Sequence, residues 1–156
     1  MKATAFLCRG AKGYGWYSQF KAAGSAGFRK NVPPTPFNWE NSSVTRPRAY
    51  FQLNAGPDSL GTIVIELASD VVPKTVENFK LLCTGSTATG KSYKGSKFHL
   101  VNKGKFILGG DVETSEGSHS HSAYKDRYIK DENFIIPHSE KGIIRYVSSP
   151  NIVCAF

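Results

Sequence analysis

The sequence has few cysteines and no long apolar run. These two features argue against a disulfide-rich protein, a cysteine-based zinc site and a membrane-spanning helix. Its three cysteines, Cys8, Cys83 and Cys154, are far apart and show no Cys-x-x-Cys spacing. An odd number of isolated cysteines argues against a disulfide framework and against a zinc knuckle, and it favours a reducing compartment. No apolar stretch approaches the roughly 18 residues that a membrane-spanning helix needs.

Acidic residues are nearly missing from the first part of the chain. Residues 1–45 hold six lysines and arginines against one acid, Glu40, whereas residues 46–156 hold 14 basic and 11 acidic residues. The net charge of +8 is therefore divided into +5 and +3. We accordingly predict an N-terminal arm, residues 1–45, and one domain, residues 46–156, whose apolar content is sufficient for a single core.

The composition of the N-terminal arm is typical of a mitochondrial transit peptide. Serine, alanine and glycine separate its basic residues. The apolar stretch near Phe6 is too short for the apolar region of a secretory signal. We therefore expect a mitochondrial location, with the cytoplasm as the alternative.

The arm also carries aromatic side chains and, at residues 33–36, a proline-rich segment that predicts a stiff, extended spacer. Large aromatic residues of this kind fill pockets on partner proteins. Aromatic residues among basic ones could instead stack on RNA bases and neutralise phosphates, or the arm could lie on an anionic membrane surface. No nucleic-acid motif is present, so we favour a protein-docking arm. Its predicted anchors are Tyr14, Trp16, Tyr17, Phe20 and Phe28.

The domain is predicted to be rich in β-strands. Residues 48–54 alternate in hydropathy and residues 62–67 are rich in branched side chains, with the turn-forming residues of NAGPDSLG between them. This pattern predicts an antiparallel hairpin. Further strands are predicted at residues 97–101, 105–108, 131–138, 142–147 and 152–156.

One helix is predicted after the hairpin. Pro73 begins it, where the missing N–H of proline costs nothing, and Thr84-Gly85 ends it. Apolar residues recur at helical spacing and predict one buried stripe. The stripe consists of Val76, Phe79, Leu82 and Cys83, while Lys74, Glu77 and Lys80 are expected in solvent.

A hydrophilic loop is predicted from Glu113 to Lys130, and it contains His119 and His121. Alternating histidines can share a metal ion when both side chains point the same way. No third ligand lies at a suitable spacing. We therefore interpret the segment as a solvated loop, and we expect neither a metal ion nor a cofactor.

The segment FHLVNKGKFILGGD, residues 98–111, has the form of a binding-site wall, because two apolar stretches flank a basic turn and lead into Gly-Gly-Asp. Together with its surroundings it resembles the cyclophilin family of peptidyl-prolyl isomerases over residues 48–152. The helix segment VPKTVENFKLLCTG is close to the family's first-helix signature. The segments YKGSKFH (93–99), GGD (109–111), DENF (131–134) and PN (150–151) follow in the family's order.

The resemblance implies an antiparallel β-barrel capped by helices, with a proline-binding groove on its outer face. It also implies catalysis of rotation about an Xaa–Pro bond, whose barrier is roughly 18–20 kcal/mol because of amide resonance. The family's pocket tryptophan and histidine and its second helix have no counterpart before Phe156. We therefore expect a barrel that is incomplete at its C-terminal end, with an open edge that other protein subunits cover.

The resemblance further implies that the catalytic groove is degenerate. The family's arginine, which weakens the amide resonance by a hydrogen bond at the prolyl nitrogen, corresponds to Leu100, and its pocket phenylalanine corresponds to Lys105. Its glutamine corresponds to Leu108, and its Ala-Asn pair to Val147-Ser148. None of the groove positions is expected to be catalytic: Phe98, His99, Leu100, Lys105, Phe106, Leu108, Val147 and Ser148.

These features predict a catalytically inactive, cyclophilin-like subunit with a structural or accessory role in a larger mitochondrial assembly. Two alternatives stay open. One is a functional isomerase whose missing groups come from a partner chain. The other is a module that binds a peptide or RNA without chemistry.

Overall fold

The computed structural model describes residues 43–133, 135–136, 141–146 and 154–155, the last two by their backbone alone. All but the last three residues of the N-terminal arm lie outside this part of the chain. So do the five predicted docking residues and two of the predicted groove positions, namely Tyr14, Trp16, Tyr17, Phe20, Phe28, Val147 and Ser148.

The first described elements are two antiparallel strands, β1 (Arg48–Ala55) and β2 (Asp58–Glu66). They confirm the predicted hairpin, but the turn is much shorter than the predicted NAGPDSLG segment. It consists of Gly56 and Pro57, and β2 already begins at Asp58. A β-bulge accommodates the extra strand residues: Leu53 pairs with Gly61 and Asn54 with Ser59, so that Leu60 has no partner opposite it.

Helix α1 spans Pro73–Thr84, and Gly85 ends it in the left-handed conformation with φ of 74°. Both ends agree with the prediction, because proline is favoured at the start of a helix and glycine just after its end. The predicted stripe is buried at Val76, Phe79 and Leu82, and Cys83 is half-buried. The exposed residues are also as predicted: Lys74, Glu77 and Lys80.

The N-terminus of α1 is capped by a residue that is distant in sequence. The helix has no side-chain cap of its own and no acidic residue in its first turn. Instead, the carboxylate of Glu132 accepts hydrogen bonds from the backbone N–H groups of Lys74 (3.1 Å) and Thr75 (2.9 Å) and from the Thr75 hydroxyl (3.0 Å). A negative charge at this end is favoured by the unpaired N–H groups and the helix dipole. Glu132 therefore fixes the N-terminus of the helix to a later part of the domain.

This capping role explains why a predicted strand is missing. Residues 131–133 and 135–136 form no strand in the structure, so the prediction of a strand over residues 131–138 is wrong for them. Asn133 donates from its side chain to the carbonyl oxygen of Val71 (2.7 Å), next to the Glu132 cap. Of the predicted strand at residues 142–147, the described residues 142–146 show only isolated bridges, at Arg145 and Tyr146.

The remaining strands form a second sheet in the order β3-β4-β5. Strand β3 (Phe98–Asn102) pairs antiparallel with β4 (Phe106–Gly109), and β4 pairs with β5 (Cys154–Ala155). The predicted strands at residues 97–101 and 105–108 are thus confirmed to within one residue at each end. The two sheets and the helix make a mainly β architecture, and closure of a barrel stays a prediction.

The core lies between β2, α1 and the segment around residue 144. Phe79 of α1 is its largest fully buried side chain. Its ring centroid lies 5.7 Å from that of Phe51, 5.4 Å from that of Tyr93 and 6.4 Å from that of Tyr146. The other buried members of this core are Ile65, Leu67, Ala68, Val72, Val76, Ile136, Ile143, Ile144 and Tyr146.

A buried polar network runs through the same core. The side-chain amide of Asn78 donates to the Tyr146 hydroxyl (2.9 Å), which lies 3.1 Å from the Tyr93 hydroxyl. The Asn78 carbonyl oxygen accepts from the backbone N–H of Ala123 (2.8 Å). Because buried polar atoms cost free energy unless they are paired, this network fixes the relative positions of α1, the segments around Tyr93 and Tyr146, and the loop at Ala123.

The loop from Glu113 to Lys130 contains neither helix nor strand, as predicted, but it is not wholly solvated. Ser120, Ser122 and Ala123 are buried. Their burial follows from the bond between Ala123 and Asn78, which draws this part of the loop against α1. In the part of the chain that the structure describes, no helix has the length and hydropathy needed to cross a bilayer.

Candidate functional site

The segment singled out in the sequence forms the β3–β4 hairpin. Leu100 pairs with Leu108, and Asn102 pairs with Phe106. Since alternate residues of a strand share a face, these four side chains lie together, and we call them the groove face. Its inner end is closed, with Leu108 only 7% exposed, while its outer end is open, with Phe106 37% and Leu100 46% exposed.

Phe98 and His99 pack into the base of the hairpin. A Cβ atom on Gly109 would lie 2.5 Å from Cδ1 of Phe98, and one on Gly117 would lie even closer to Cδ2 of His99. Both distances are far below a van der Waals contact, so each ring occupies space that only a glycine leaves open. His99 Nδ1 is buried and has no hydrogen-bond partner within the described residues. Both aromatic residues therefore have packing roles here.

The groove face offers no positioned hydrogen-bond donor. Leu100, Phe106 and Leu108 have no polar side-chain atoms, and Asn102 is exposed at the hairpin tip, where its side chain makes no hydrogen bond to the described residues. Lys105 is exposed in the turn, where its backbone N–H donates to the carbonyl oxygen of Asn102 (3.0 Å). Val147 and Ser148, the other predicted groove positions, lie outside the described residues.

Asp111, directly after the hairpin, organises the loop beside the groove. Its side chain is fully buried, and its carboxylate accepts the Thr114 hydroxyl (2.6 Å). It also accepts backbone N–H groups along the loop, from Glu113 (2.9 Å), Thr114 (3.0 Å), Glu116 (3.2 Å), Gly117 (2.9 Å) and His119 (3.3 Å). In this loop, which has no regular secondary structure, the carboxylate of Asp111 accepts the backbone hydrogen bonds and so holds the loop in its conformation.

Two opposing effects set the pKa of Asp111. Burial raises it, because desolvation disfavours the charged form. Hydrogen bonds from the Thr114 hydroxyl and from the backbone N–H groups of Thr114, His119 and Gly117 outweigh burial and hold the pKa of this carboxyl well below its usual range. Asp111 is therefore ionised at neutral pH and engaged in structure. The sequence showed it only as a polar residue at the end of the wall.

The other reactive side chains do not form a site. His119 Nδ1 lies 2.7 Å from the Ser118 hydroxyl, and His121 Nδ1 lies 2.9 Å from the carbonyl oxygen of Ser122. Among the described residues there is no group of three or more His, Cys, Asp or Glu side chains that could hold a metal ion. Burial raises the pKa of the Cys83 thiol to about 11, so this thiol is protonated and weakly nucleophilic at neutral pH.

A comparison with protein families agrees with the placement of these elements. The family model for "Cyclophilin type peptidyl-prolyl cis-trans isomerase/CLD" matches residues 50–152. The match covers about two-thirds of the chain and includes α1, the groove face and the Glu132 cap.

Proposed function

Since the chain belongs to the cyclophilin-type peptidyl-prolyl cis-trans isomerase family, we propose that its cyclophilin-like domain is catalytically inactive. We propose further that it serves as a structural or accessory subunit of a larger protein assembly, located in mitochondria. In this role the family fold is kept as a scaffold while the chemistry of the groove is lost.

The replacement of the family's arginine by leucine carries the proposal of inactivity. Leu100 lies opposite Leu108 on the groove face, and neither side chain can donate a hydrogen bond to a prolyl nitrogen. Removing one preorganised donor from an active site costs about 10²–10³ in rate. Lys105, at the position of the pocket phenylalanine, adds a charge where a proline ring needs an apolar wall. These losses together leave no group to lower the rotational barrier.

Two observations support a structural role in an assembly. The β3–β4 hairpin exposes apolar side chains to solvent, and contiguous exposed apolar surface marks an interaction site. The N-terminal arm supplies aromatic residues of the kind that anchor a chain in a partner's pockets. The mitochondrial location is supported by the basic, acid-poor composition of that arm.

The first test is an isomerisation assay on the full chain. A protease-coupled assay with an Xaa–Pro peptide should give the uncatalysed rate, with an active cyclophilin as the positive control. The variant Leu100→Arg should also stay inactive, because Lys105 and Leu108 still occupy the pocket positions. Turnover by the unmodified chain that a cyclosporin-type inhibitor abolishes would contradict the proposal.

The second test is the native size of the endogenous protein. After gentle detergent extraction of mitochondria, immunoblotting of a native gel should place the chain in a high-mass band. Migration near the mass of a single chain would contradict the assembly role. Isomerase activity in the purified band that is absent from the isolated chain would instead support a site completed by a partner.

A further inference from the structure

The β3–β4 hairpin exposes apolar side chains on both of its faces. Leu100 (46% exposed) and Phe106 (37% exposed) lie on the groove face, and Val101 (66% exposed) lies on the opposite face. Exposed side chains of this size, clustered on one short hairpin, leave apolar surface in water. The hairpin is therefore an interaction surface, and its charge indicates the kind of partner.

The charged residues of the hairpin and of the segment that leads into it are all positive. No acidic residue occurs between Glu77 and Asp111, a stretch that contains six lysines and no arginine. Lys97 directly precedes β3, and Lys103 and Lys105 lie in the turn that follows it. Five of the six lysines are exposed and form no ion pair with the described residues: Lys80 on α1 and, after the helix, Lys94, Lys97, Lys103 and Lys105. A partner that brings negative charge would complement this surface.

The position of β3 in its sheet adds a backbone feature. In the order β3-β4-β5, which holds for the described residues, β3 is an outer strand. The backbone N–H and C=O groups along the free side of an outer strand can pair with an added extended segment. Side chains of that segment would then alternate between the two faces of the hairpin, next to Leu100 on one side and Val101 on the other.

We infer that the β3–β4 hairpin binds an extended acidic segment of a partner protein, in which aspartate or glutamate alternates with aliphatic residues. The inference rests on the proposed function, because the partner is a subunit of the same assembly. Because alternate residues of a strand share a face, the aliphatic side chains of the segment cover Leu100 and Phe106 on the groove face. Its carboxylates lie on the opposite face and pair with Lys97 and with Lys103 and Lys105 of the turn. Backbone pairing along β3 sets the direction and register of the segment.

The same surface fits nucleic acid and membrane less well. Single-stranded nucleic acid is held by aromatic platforms, and Phe106 is the single aromatic residue among the three exposed apolar ones. Arginine, the residue suited to bidentate phosphate recognition, is missing from residues 78–110. A bilayer would meet the tip of the hairpin first, and the tip, Asn102–Lys105, is polar and charged.

Fluorescence anisotropy with the full chain tests the inference. The probe is a fluorescein-labelled peptide of alternating glutamate and valine, and the comparison peptide has lysine in place of glutamate. Salt should weaken binding of the acidic peptide. The double variant Lys103→Glu/Lys105→Glu and the single variant Leu100→Asp should each lower affinity by about tenfold or more. Matched controls are Lys80→Glu on α1 and Val64→Asp on β2, both exposed positions away from the hairpin, and neither should change binding.

Three outcomes would overturn the inference: equal binding of the acidic and basic peptides, equal effects of the hairpin variants and the control variants, or a preference for polyuridine or phosphatidylserine vesicles over the acidic peptide. Since two chemically different hairpin variants are used, misfolding of one does not remove the test. The probe contains no proline, so its binding is independent of the isomerisation assay. A failure here is therefore distinguishable from a failure of the proposed function.

Discussion

Replacing Asp111 with asparagine should lower the free energy of unfolding by roughly 3–5 kcal/mol. The substitution keeps the shape of the side chain, but it removes the charge and one of the two acceptor oxygens. Asp111 is fully buried and receives one hydroxyl and five backbone N–H groups from residues 113–119. The new NH₂ group would face N–H donors, so several of these donors would lose their acceptor inside the protein. Urea unfolding of the two proteins measures the difference.

The pH dependence gives this prediction a characteristic form. The pKa of Asp111 is lower in the folded protein than the ordinary value of about 3.9 expected in the unfolded chain. A lowered pKa means that the carboxylate contributes stability above the unfolded pKa and that this contribution is lost as pH falls. The stability difference between the parent and Asp111→Asn should therefore be constant from about pH 6 to 8 and should shrink below about pH 4.

Asp126→Asn is the matched control, because Asp126 is exposed on the same loop and has no side-chain hydrogen bond or ion pair with the described residues. This exchange should change the free energy of unfolding by less than about 0.5 kcal/mol. Equal stabilities of the two variants, or a difference that grows as pH falls, would show that Asp111 does not organise the loop.

The elements that the sequence predicts well are those whose signals are local. Pro73 and Gly85 bound α1 in the sequence as they do in the structure, and the spacing of Val76, Phe79 and Leu82 identifies its buried face. Both signals depend on residues within one or two turns. The β1–β2 hairpin was predicted for the same reason, although the bulge at Leu60 let strand pairing extend into residues that favour turns.

The features that escaped prediction depend on residues distant in sequence. Glu132 caps α1 from 58 residues beyond Lys74, and nothing near the helix signals this. Thr75 and Asn78 lie one helical turn before Phe79 and Leu82, on the side of the buried stripe, but the helix sequence does not reveal the partners that allow their polar groups to be buried. Glu132 pairs with Thr75, and Tyr146 and Ala123 pair with Asn78. The prediction of a strand over residues 131–138, which is wrong for the described residues 131–133 and 135–136, has the same origin. The apolar pattern of the segment was visible in the sequence, and the bond between Glu132 and α1 was not.

The part of the candidate site that lies on the β3–β4 hairpin could be predicted from the sequence. The family resemblance placed Leu100, Lys105 and Leu108 at positions of catalytic groups, and the strand pairing puts Leu100 directly opposite Leu108. Strand register follows from the short turn between them, so this juxtaposition could be anticipated. The contacts of Phe98 with Gly109 and of His99 with Gly117 could not, because close packing of a ring on a glycine leaves no periodic signal.

Replacing Phe79 with alanine should lower the free energy of unfolding by about 3–5 kcal/mol. The ring is 1% exposed and packs among the rings of Phe51, Tyr93 and Tyr146. Its removal leaves a cavity at the point where β1, α1 and the segment near residue 144 meet, and the Asn78–Tyr146 hydrogen bond loses its apolar cover. The free energy of unfolding of a domain is only about 5–15 kcal/mol, so Phe79→Ala would remove a large share of it. Pulse proteolysis in urea measures it at low protein concentration.

Lys80→Ala is the control for this prediction, since Lys80 is the exposed neighbour of Phe79 on α1 and should change stability by less than about 0.5 kcal/mol. A loss of only about 1 kcal/mol in Phe79→Ala would mean that the aromatic cluster is not the centre of the core. The expected large loss has a functional meaning as well. In the scaffold role that we propose, the chain depends on the family's core because the core positions the β3–β4 hairpin. The proposal therefore predicts that stability is retained where catalysis is not.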